Sequence, residues 1–380
     1  MAETLFALAA LSFLLAIHPY VTYPASLLLL PKRKSKPPPT GWTRPRVAVC
    51  MSAYNEERVI VQKVEGLIAM AEAYGPARIY IYVDGAQDRT AELLEPYRDR
   101  LTVLVSSERR GKTAGLKQLI AGADCDVLAF TDANVIVPRD GLITLVEALQ
   151  DPDVCCASAK LVYVNEGEAG VSMAGALYWK FEEAIKSLES DRIGIIGVDG
   201  ALFVIDREAY FAPPDELIDD LYVSMRALLT GRRVVSARSV LVEERSAASW
   251  QEEFHRKVRI SCQAMNVHRA LWPSLSKARP ELVYCYMSHR FLKWMIPFSL
   301  TAAVVFLLAG LSLQYGPLPP LGAAAALGAA LGLGAWINLP FFRLMTTSLV
   351  SLAGVAYGHL EALLTRRTYT IWTPATTVRN

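Results

Sequence analysis

From Trp294 to Phe342 the chain runs for 49 residues without one Asp, Glu, Lys, Arg or His. About 20 apolar residues in a helix, at about 1.5 Å rise each, cross the roughly 30 Å hydrocarbon core of a bilayer. The run therefore holds two crossings, with Gln314-Tyr315-Gly316-Pro317 between them. No soluble domain needs so long an uncharged stretch, and the sequence reads as an integral membrane protein. With 53% hydrophobic and 20% charged residues it is neither a disordered chain, a collagen-like chain nor a small disulfide scaffold. Lys and Arg number 39 against 37 Asp and Glu, and a net charge of +2 offers a nucleic acid no electrostatic footprint.

The charges beside the apolar runs set the expected orientation. Thr4 to Leu30 hold only His18 among ionisable groups, enough for one span even with a kink at His18-Pro19. A cleaved signal peptide fits less well, because no basic segment precedes the run and no small-x-small site ends it. Lys32-Arg33-Lys34-Ser35-Lys36 follows directly, against Glu3 on the other side, which assigns that end and the bulk of the chain to the cytoplasm of a cell inner membrane. Pro37-Pro38-Pro39 reads as an extended spacer. A further apolar stretch, Leu344 to Leu364, contains His359 and Glu361. Crossing would put Arg366, Arg367 and Arg379 outside, whereas lying along the interface keeps them in the cytoplasm, and the sequence leaves both open. The six cysteines include no CxxC pair, so reduced thiols are expected rather than a zinc site.

Between these apolar ends the pattern alternates strand and helix. Arg46 to Met51, Arg78 to Val83, Leu101 to Val105 and Val127 to Phe130 read as strands. Helices are expected after Asn55-Glu56-Glu57 through Ala73, over Thr90 to Tyr97 and over Thr113 to Gly122. Such alternation implies a mostly parallel sheet, whose ligands gather beyond the carboxyl ends of the strands. Asn55, Glu57, Asp84, Asp88, Asp132 and Asn134 stand there, each open also to a plain turn or capping role. Gly111-Lys112-Thr113 imitates a P-loop end but lacks its first glycine, where Ser106 stands. No GxSxG or HExxH occurs, so serine-hydrolase and zincin chemistry lack their motifs.

Six motifs in order carry a resemblance. Ser52-Ala53-Tyr54-Asn55-Glu56-Glu57 resembles the opening motif of the family 2 glycosyltransferases, whose catalytic domain has the α/β GT-A fold. Val83 to Thr90 (VDGAQDRT) is similar to the family's second nucleotide-contacting element, and Arg110-Gly111-Lys112 to its basic step. Thr131-Asp132-Ala133-Asn134 resembles the DxD position, Gly197 to Phe203 the acceptor loop, and Ile218-Asp219-Asp220 the acidic catalytic motif. Spans on both sides resemble the branch holding hyaluronan, cellulose and poly-N-acetylglucosamine synthases and lipid-acceptor transferases. The resemblance divides the chain into a transmembrane helix over 1–31, a basic and Pro-rich linker over 32–44 and a GT-A domain over 45–249. Amphipathic interface helices over 250–290, transmembrane or interface helices over 291–365 and a tail over 366–380 complete it.

What the resemblance implies is an inverting enzyme that moves a sugar from a UDP-sugar donor to a lipid-linked or glycan acceptor at the membrane face. Its donor-binding residues would be Ala53, Tyr54, Glu57, Asp84, Lys112, Asp132, Arg256 and Arg259. Gly200 and Asp219 would meet the acceptor, Asp220 would be the catalytic base, and Asp132 with Asn134 would hold Mg²⁺ or Mn²⁺. Two departures follow from the residues. Asn134 offers a neutral amide oxygen where carboxylate suits a hard cation better. Arg256 to Ile260 lacks the Gln and Trp of the QxxRW motif of processive synthases. A processive synthase coupled to secretion is thereby the second reading, and a noncatalytic scaffold with a degenerate nucleotide-sugar fold the third. Asp219-Asp220 equally suits a helix N-terminus over Leu221 to Leu229. Arg256 and Arg259 equally suit the basic face of an amphipathic helix from Trp250 to Trp272.

Overall fold

The computed structural model describes residues 1–163, 171–245, 250–337 and 339–371. The expected N-terminal span, Thr4 to Leu30, is divided: α1 (Ala2–Ile17) ends at His18, and after the His18-Pro19 break a short α2 (Thr22–Leu27) follows. Sixteen residues reach only about 24 Å. Beyond the break, Tyr23 and Leu27 are fully buried in the core rather than turned to lipid. The basic segment after it, part of the expected linker, is tied along the domain, with Arg33 N donating to Asp191 O at 2.8 Å and Lys36 Nζ to Asp153 at 2.9 Å.

The domain proper then alternates as the pattern predicts: β1 (Val47–Ala53), α3 (Ile60–Tyr74), β2 (Ala77–Asp84), α4 (Thr90–Leu94), β3 (Leu101–Ser106), α5 (Lys112–Ala121) and β4 (Val127–Thr131). It continues through α6 (Gly141–Ala148), β5 (Val154–Tyr163), α7 (Val171–Ser190), β6 (Leu202–Asp206), α8 (Asp219–Leu229) and β7 (Arg233–Glu244). The seven strands lie in the order β3-β2-β1-β4-β6-β5-β7. All pairings are parallel except those of β6, which runs antiparallel to β4 and β5.

Both faces of the sheet are covered, which is why its strands are apolar at successive residues rather than at alternate ones. Val47, Val49 and Met51 point into one cluster with α3 and α6, while Ala48 and Cys50 point into the other with α2, α5 and α8. Each fully buried aliphatic or aromatic side chain there contributes about 1.5 to 3 kcal/mol. All six cysteines are free thiols, as the spacing predicts.

Three helices on the C-terminal side of α9 (Trp250–Leu275) build the apolar part. Helix α10 (Pro280–Tyr286) passes through one π-turn, Met287–Phe291, straight into α11 (Leu292–Tyr315), so the expected boundary at 290 falls inside one continuous rod. Among the described residues, Pro280–Tyr315, α12 (Leu318–Trp336) and α13 (Pro340–Thr365) are long and apolar enough to cross a membrane. Helix α1 packs antiparallel along α11, with Phe6 against Gly310 at one end and His18 Nε2 2.9 Å from Ser288 Oγ at the other. Helix α13 behaves differently from α11 and α12. Its Gly354 and Gly358 press on the backbone of α9, and the chain beyond it returns to the sheet: the Thr370 carbonyl lies against Gly111. Of the expected tail, residues 372–380 with Arg379 lie outside the described residues.

Candidate active site

The parallel strands β2, β1, β4, β5 and β7 all end at one rim. Because β6 runs the other way, the loop ahead of it, Val198 to Ala201, lands at that rim too. The polar ends expected from sequence are thus brought together around a cavity of about 1530 Å³. Tyr54, Asp84, Lys112, Asp132, Asn134, Gly200, Asp219, Asp220, Arg256 and Arg259 all line it. Ala53 and Glu57 do not. Ala53 is buried in the core at the end of β1, and Glu57 is exposed, accepting from Arg89 N at 3.2 Å. Glu56, one residue earlier, is buried and lines the cavity instead.

The centre is a set of carboxylates around one ammonium. Lys112 Nζ donates to Asp132 Oδ1 at 2.8 Å and stands 3.2 Å from Asp219 Oδ2. Burial opposes its charge, but Asp132 and Asp219 outweigh that and hold it firmly protonated. Asp220 is the second residue of α8; its Oδ1 accepts from Leu221 N at 2.6 Å, while Oδ2 lies on the Gly200 side. A Cβ on Gly200 would stand 3.3 Å from both Asp220 Oδ2 and Asp132 Oδ2, so only glycine leaves that space open. Burial, then the neighbouring Asp219, push the Asp220 carboxyl up to about 7, against the pull of Lys112. A carboxylate poised there suits proton abstraction near neutral pH.

Other residues at the rim hold its loops in place. Both oxygens of buried Asp84 accept from the backbone of Arg110 and Gly111, at 2.7 to 3.2 Å, fixing the turn that presents Lys112. Asn55 Oδ1 accepts from Gln87 N at 2.8 Å, and Asp88 caps Thr90 N at 3.0 Å, so these two cross-tie loops outside the cavity. Lys63, absent from the expected set, is buried beneath the Asp132 loop and donates to Thr131 Oγ1 at 2.8 Å and Val135 O at 2.7 Å. Burial lowers its amine to about 7 despite Asp132 nearby.

Tyr54 forms one end of the cavity, where the Arg109 guanidinium lies 3.5 Å from its ring centroid. That stack was readable by extending Arg110-Gly111-Lys112 one residue back. At the other end Asn134 Nδ2 donates to Glu244 Oε1 at 2.9 Å. Glu244 ends β7 just as Asp84 ends β2, and burial raises its carboxyl. The strand-end rule applied to the last strand would have found it. Arg256 Nη2 reaches Tyr163 OH at 3.3 Å, and burial beside Arg256 brings Arg259 down to about 10.

The histidines, which show no ligand spacing in sequence, include one in a buried charge cluster. His289, in the π-turn, lies 2.7 Å from Glu189 Oε1 and 3.3 Å from Glu182 Oε2, and Lys293 Nζ meets Glu182 at 2.6 Å. A π-turn brings these side chains to one side of the rod. Arg290 of the same turn donates to Gly197 O at 2.9 Å, so the apolar rod holds the loop ahead of β6 directly.

The residues present suit a divalent cation. Three carboxylates, Asp132, Asp219 and Asp220, face one ammonium, which leaves negative charge in excess. Asn134 commits its amide nitrogen to Glu244, so its Oδ1 is the atom it would offer a hard cation. No group of three His, Cys, Asp or Glu among the described residues forms a closed cage. An Mg²⁺-type ion bound by one or two protein oxygens and completed by substrate phosphates fits that set.

Comparison with known proteins agrees with this geometry. A family model described as "Glycosyltransferase like family 2" matches residues 45–263. The chain is 29% identical over 130 residues to the beta-monoglucosyldiacylglycerol synthase of Nostoc sp., a match spanning 33% of this chain and 28% of that protein. It is 23% identical over 217 residues to the poly-beta-1,6-N-acetyl-D-glucosamine synthase of Staphylococcus aureus, spanning 54% of this chain and 52% of the relative. The chain thus covers about half or less of these relatives' length. The fold is similar to that of a mannosyltransferase, PcManGT from Pyrobaculum calidifontis, in complex with GDP-Man and Mn²⁺. The TM-score is 0.72 at 22% identity, over 96% of this chain and 100% of that one.

Proposed function

The chain belongs to the family 2 glycosyltransferases, and from that membership we propose that it transfers one or a few sugars from a UDP-sugar to a lipid-linked acceptor at the cytoplasmic face of a membrane. One observation carries the acceptor part. The cavity lined by Tyr54, Lys112 and Asp132 is lined also by Trp294 on α11 and by Thr347, Ser351, Leu352 and Val355 on one face of α13. A soluble acceptor needs no such route, whereas a lipid entering from the bilayer does. The relative named a glucosyldiacylglycerol synthase has a lipid product by name, which fits this reading.

The chemistry follows from the residues. Tyr54 and Arg109 would stack the base, and the turn held by Asp84 would bring Lys112 to the diphosphate. A divalent cation held by Asp132 and the Asn134 carbonyl oxygen would neutralise charge on the departing diphosphate. Lys112 and Arg259 would add fixed positive charge there, whereas Arg256, expected with them, is held by Tyr163 and Glu253. Asp220 Oδ2 takes the proton of the acceptor hydroxyl as that oxygen attacks the anomeric carbon. The bond from that carbon to the diphosphate oxygen breaks on the far side, so the configuration inverts and the nucleoside diphosphate departs.

The pairing of the last helix with α9 supports an interfacial α13 and two crossings by α11 and α12, with linker and tail on the catalytic side. The test is a panel of nucleotide sugars offered with a lipid extract to the purified chain, with products separated by mass. One donor giving a lipid product of one or a few added hexoses is expected. Transfer solely from GDP-sugars would move the donor assignment, and release of free high-molecular-weight glycan without lipid would promote the processive synthase.

A further inference from the structure

One wall of the cavity is aromatic and has no part in the chemistry above. Tyr163 ends β5 and Trp179 meets it from α7, with ring centroids 5.4 Å apart and planes 60° from each other. Both line the cavity. Charged groups border the corner: Arg256 donates to Tyr163 OH, and the Lys186 ammonium stands 5.3 Å from the Trp179 centroid. Lys186 also bonds Asp199, the residue before Gly200, so the corner is joined through two side chains to the loop that faces Asp220.

The order of strands tells which substrate meets it. Along the rim, β2 and β1 present Asp84 and Tyr54, β4 presents Asp132, Gly200 precedes β6, and β5 and β7 end in Tyr163 and Glu244. The nucleotide end and the aromatic corner therefore lie on opposite sides of the carboxylate centre. In-line displacement requires the incoming oxygen opposite the departing diphosphate, so whatever lies at the corner belongs to the acceptor. Rings set at an angle, bordered by charged hydrogen-bonding groups, match a pyranose. Its C–H face packs on the aromatic surface and its hydroxyls reach the polar edge.

We propose that Tyr163 and Trp179 bind a pyranose carried by the acceptor, so that the lipid reaching this site already bears a sugar. The inference rests on the lipid-acceptor reading and narrows it from a bare lipid alcohol to a glycosylated lipid. The corner also supplies, from α7 and β5, the aromatic surface that Ile260 withholds on α9.

The test uses the full chain in nanodiscs, with octyl hexosides and octanol as acceptor probes, and donor turnover without acceptor as a separate readout. Octyl hexosides should accept sugar or inhibit transfer, and octanol should do neither. Trp179→Ala should raise the hexoside KM or inhibition constant roughly five- to tenfold, by the usual worth of an aromatic contact, and leave the donor KM unchanged. Trp179→Phe should recover most of that loss, which separates recognition from misfolding. A parallel rise in donor KM, or hexoside constants that ignore Trp179, would overturn the proposal. Octanol matching octyl hexosides would overturn it too, while leaving the lipid-acceptor reading intact. Aqueous polymer whose formation still depends on Trp179 would do the reverse.

Discussion

The carboxyl of Asp220 is the residue on which pH should act most sharply. Raised to about 7, it is half-protonated near neutrality, and only its anion accepts the hydroxyl proton. The rate should therefore climb about tenfold per pH unit below 7 and level off above it, and a flat profile from pH 5.5 to 8.5 would remove Asp220 as the base. Stability should move the opposite way. The folded carboxyl keeps its proton between its unfolded value of about 3.9 and 7, so the native state binds more protons and loses stability as pH rises through that window. Asp220→Asn removes this liability: turnover should fall at least a thousandfold, roughly 4 kcal/mol, with donor affinity kept. Its Tm should exceed the parent's at pH 8 and converge with it near pH 4, and equal Tm values at pH 8 would refute the raised pKa. Asp132→Ala should weaken donor binding and abolish stimulation by Mg²⁺ or Mn²⁺, with the chelated parent behaving alike. Asn134→Asp would set a second carboxylate against Glu244, now without the amide's donated bond. That variant should melt lower in chelator and regain its loss when the ion is added; a melting point indifferent to the ion would argue against a cation at this position.

Elements explain what the sequence made legible and what it hid. Strands such as Val47–Ala53 were readable because burial on both faces demands continuous apolar runs, and their polar ends were readable because a parallel sheet gathers its sites there. Asp84, Lys112, Asp132, Asn134, Gly200, Asp219 and Asp220 all follow from that rule together with the family resemblance. Glu56 and Glu57 differ by one position in a loop, and no periodicity decides which faces inward. Lys63 projects from one helix under the Asp132 loop and Trp179 from another into the cavity, which is tertiary information. The break at His18-Pro19 was legible, but the burial beyond it was hidden for a similar reason: Tyr23 and Leu27 are as apolar as a lipid-facing pair, yet the core takes them. The α9–α13 contact is likewise unreadable from either helix alone. Because a Cβ on Gly358 would drive into the Val258 carbonyl, Gly358→Ala should force these helices apart at a cost of about 1 to 3 kcal/mol. The tail held on α9 by Gln263 and Asn266 should loosen with it, raising the donor KM. Gly328, on α12, has nothing within 4 Å of its Cβ position, so Gly328→Ala should leave both Tm and KM untouched. Equal effects at the two glycines would deny the α9–α13 contact its role.

At the scale of the whole molecule, the proposed product follows from how the described helices are arranged. A secreted polysaccharide needs an enclosed polar passage through the bilayer, because its hydroxyls cannot be left unpaired in hydrocarbon. Helices α11 and α12 joined by a tight turn, with the short α1 along one flank, form a layer rather than a ring. Their outward faces are apolar, with no charged residue anywhere from Trp294 to Phe342 to line a channel. The large cavity is lined on its α13 side by Thr347, Ser348 and Ser351, a polar edge suited to a lipid head sliding back into its own leaflet. Sugar added here should therefore stay on the side where it was attached. The chain would be placed in sealed vesicles with the catalytic domain outward, supplied with radiolabelled donor outside, and the products then divided between lipid extract and vesicle lumen. Nearly all label should extract with lipid and remain open to an externally added glycosidase. Label trapped in the lumen as water-soluble glycan would mean that this layer of helices conducts sugar, alone or with further copies of the chain, and the single-transfer reading would fall.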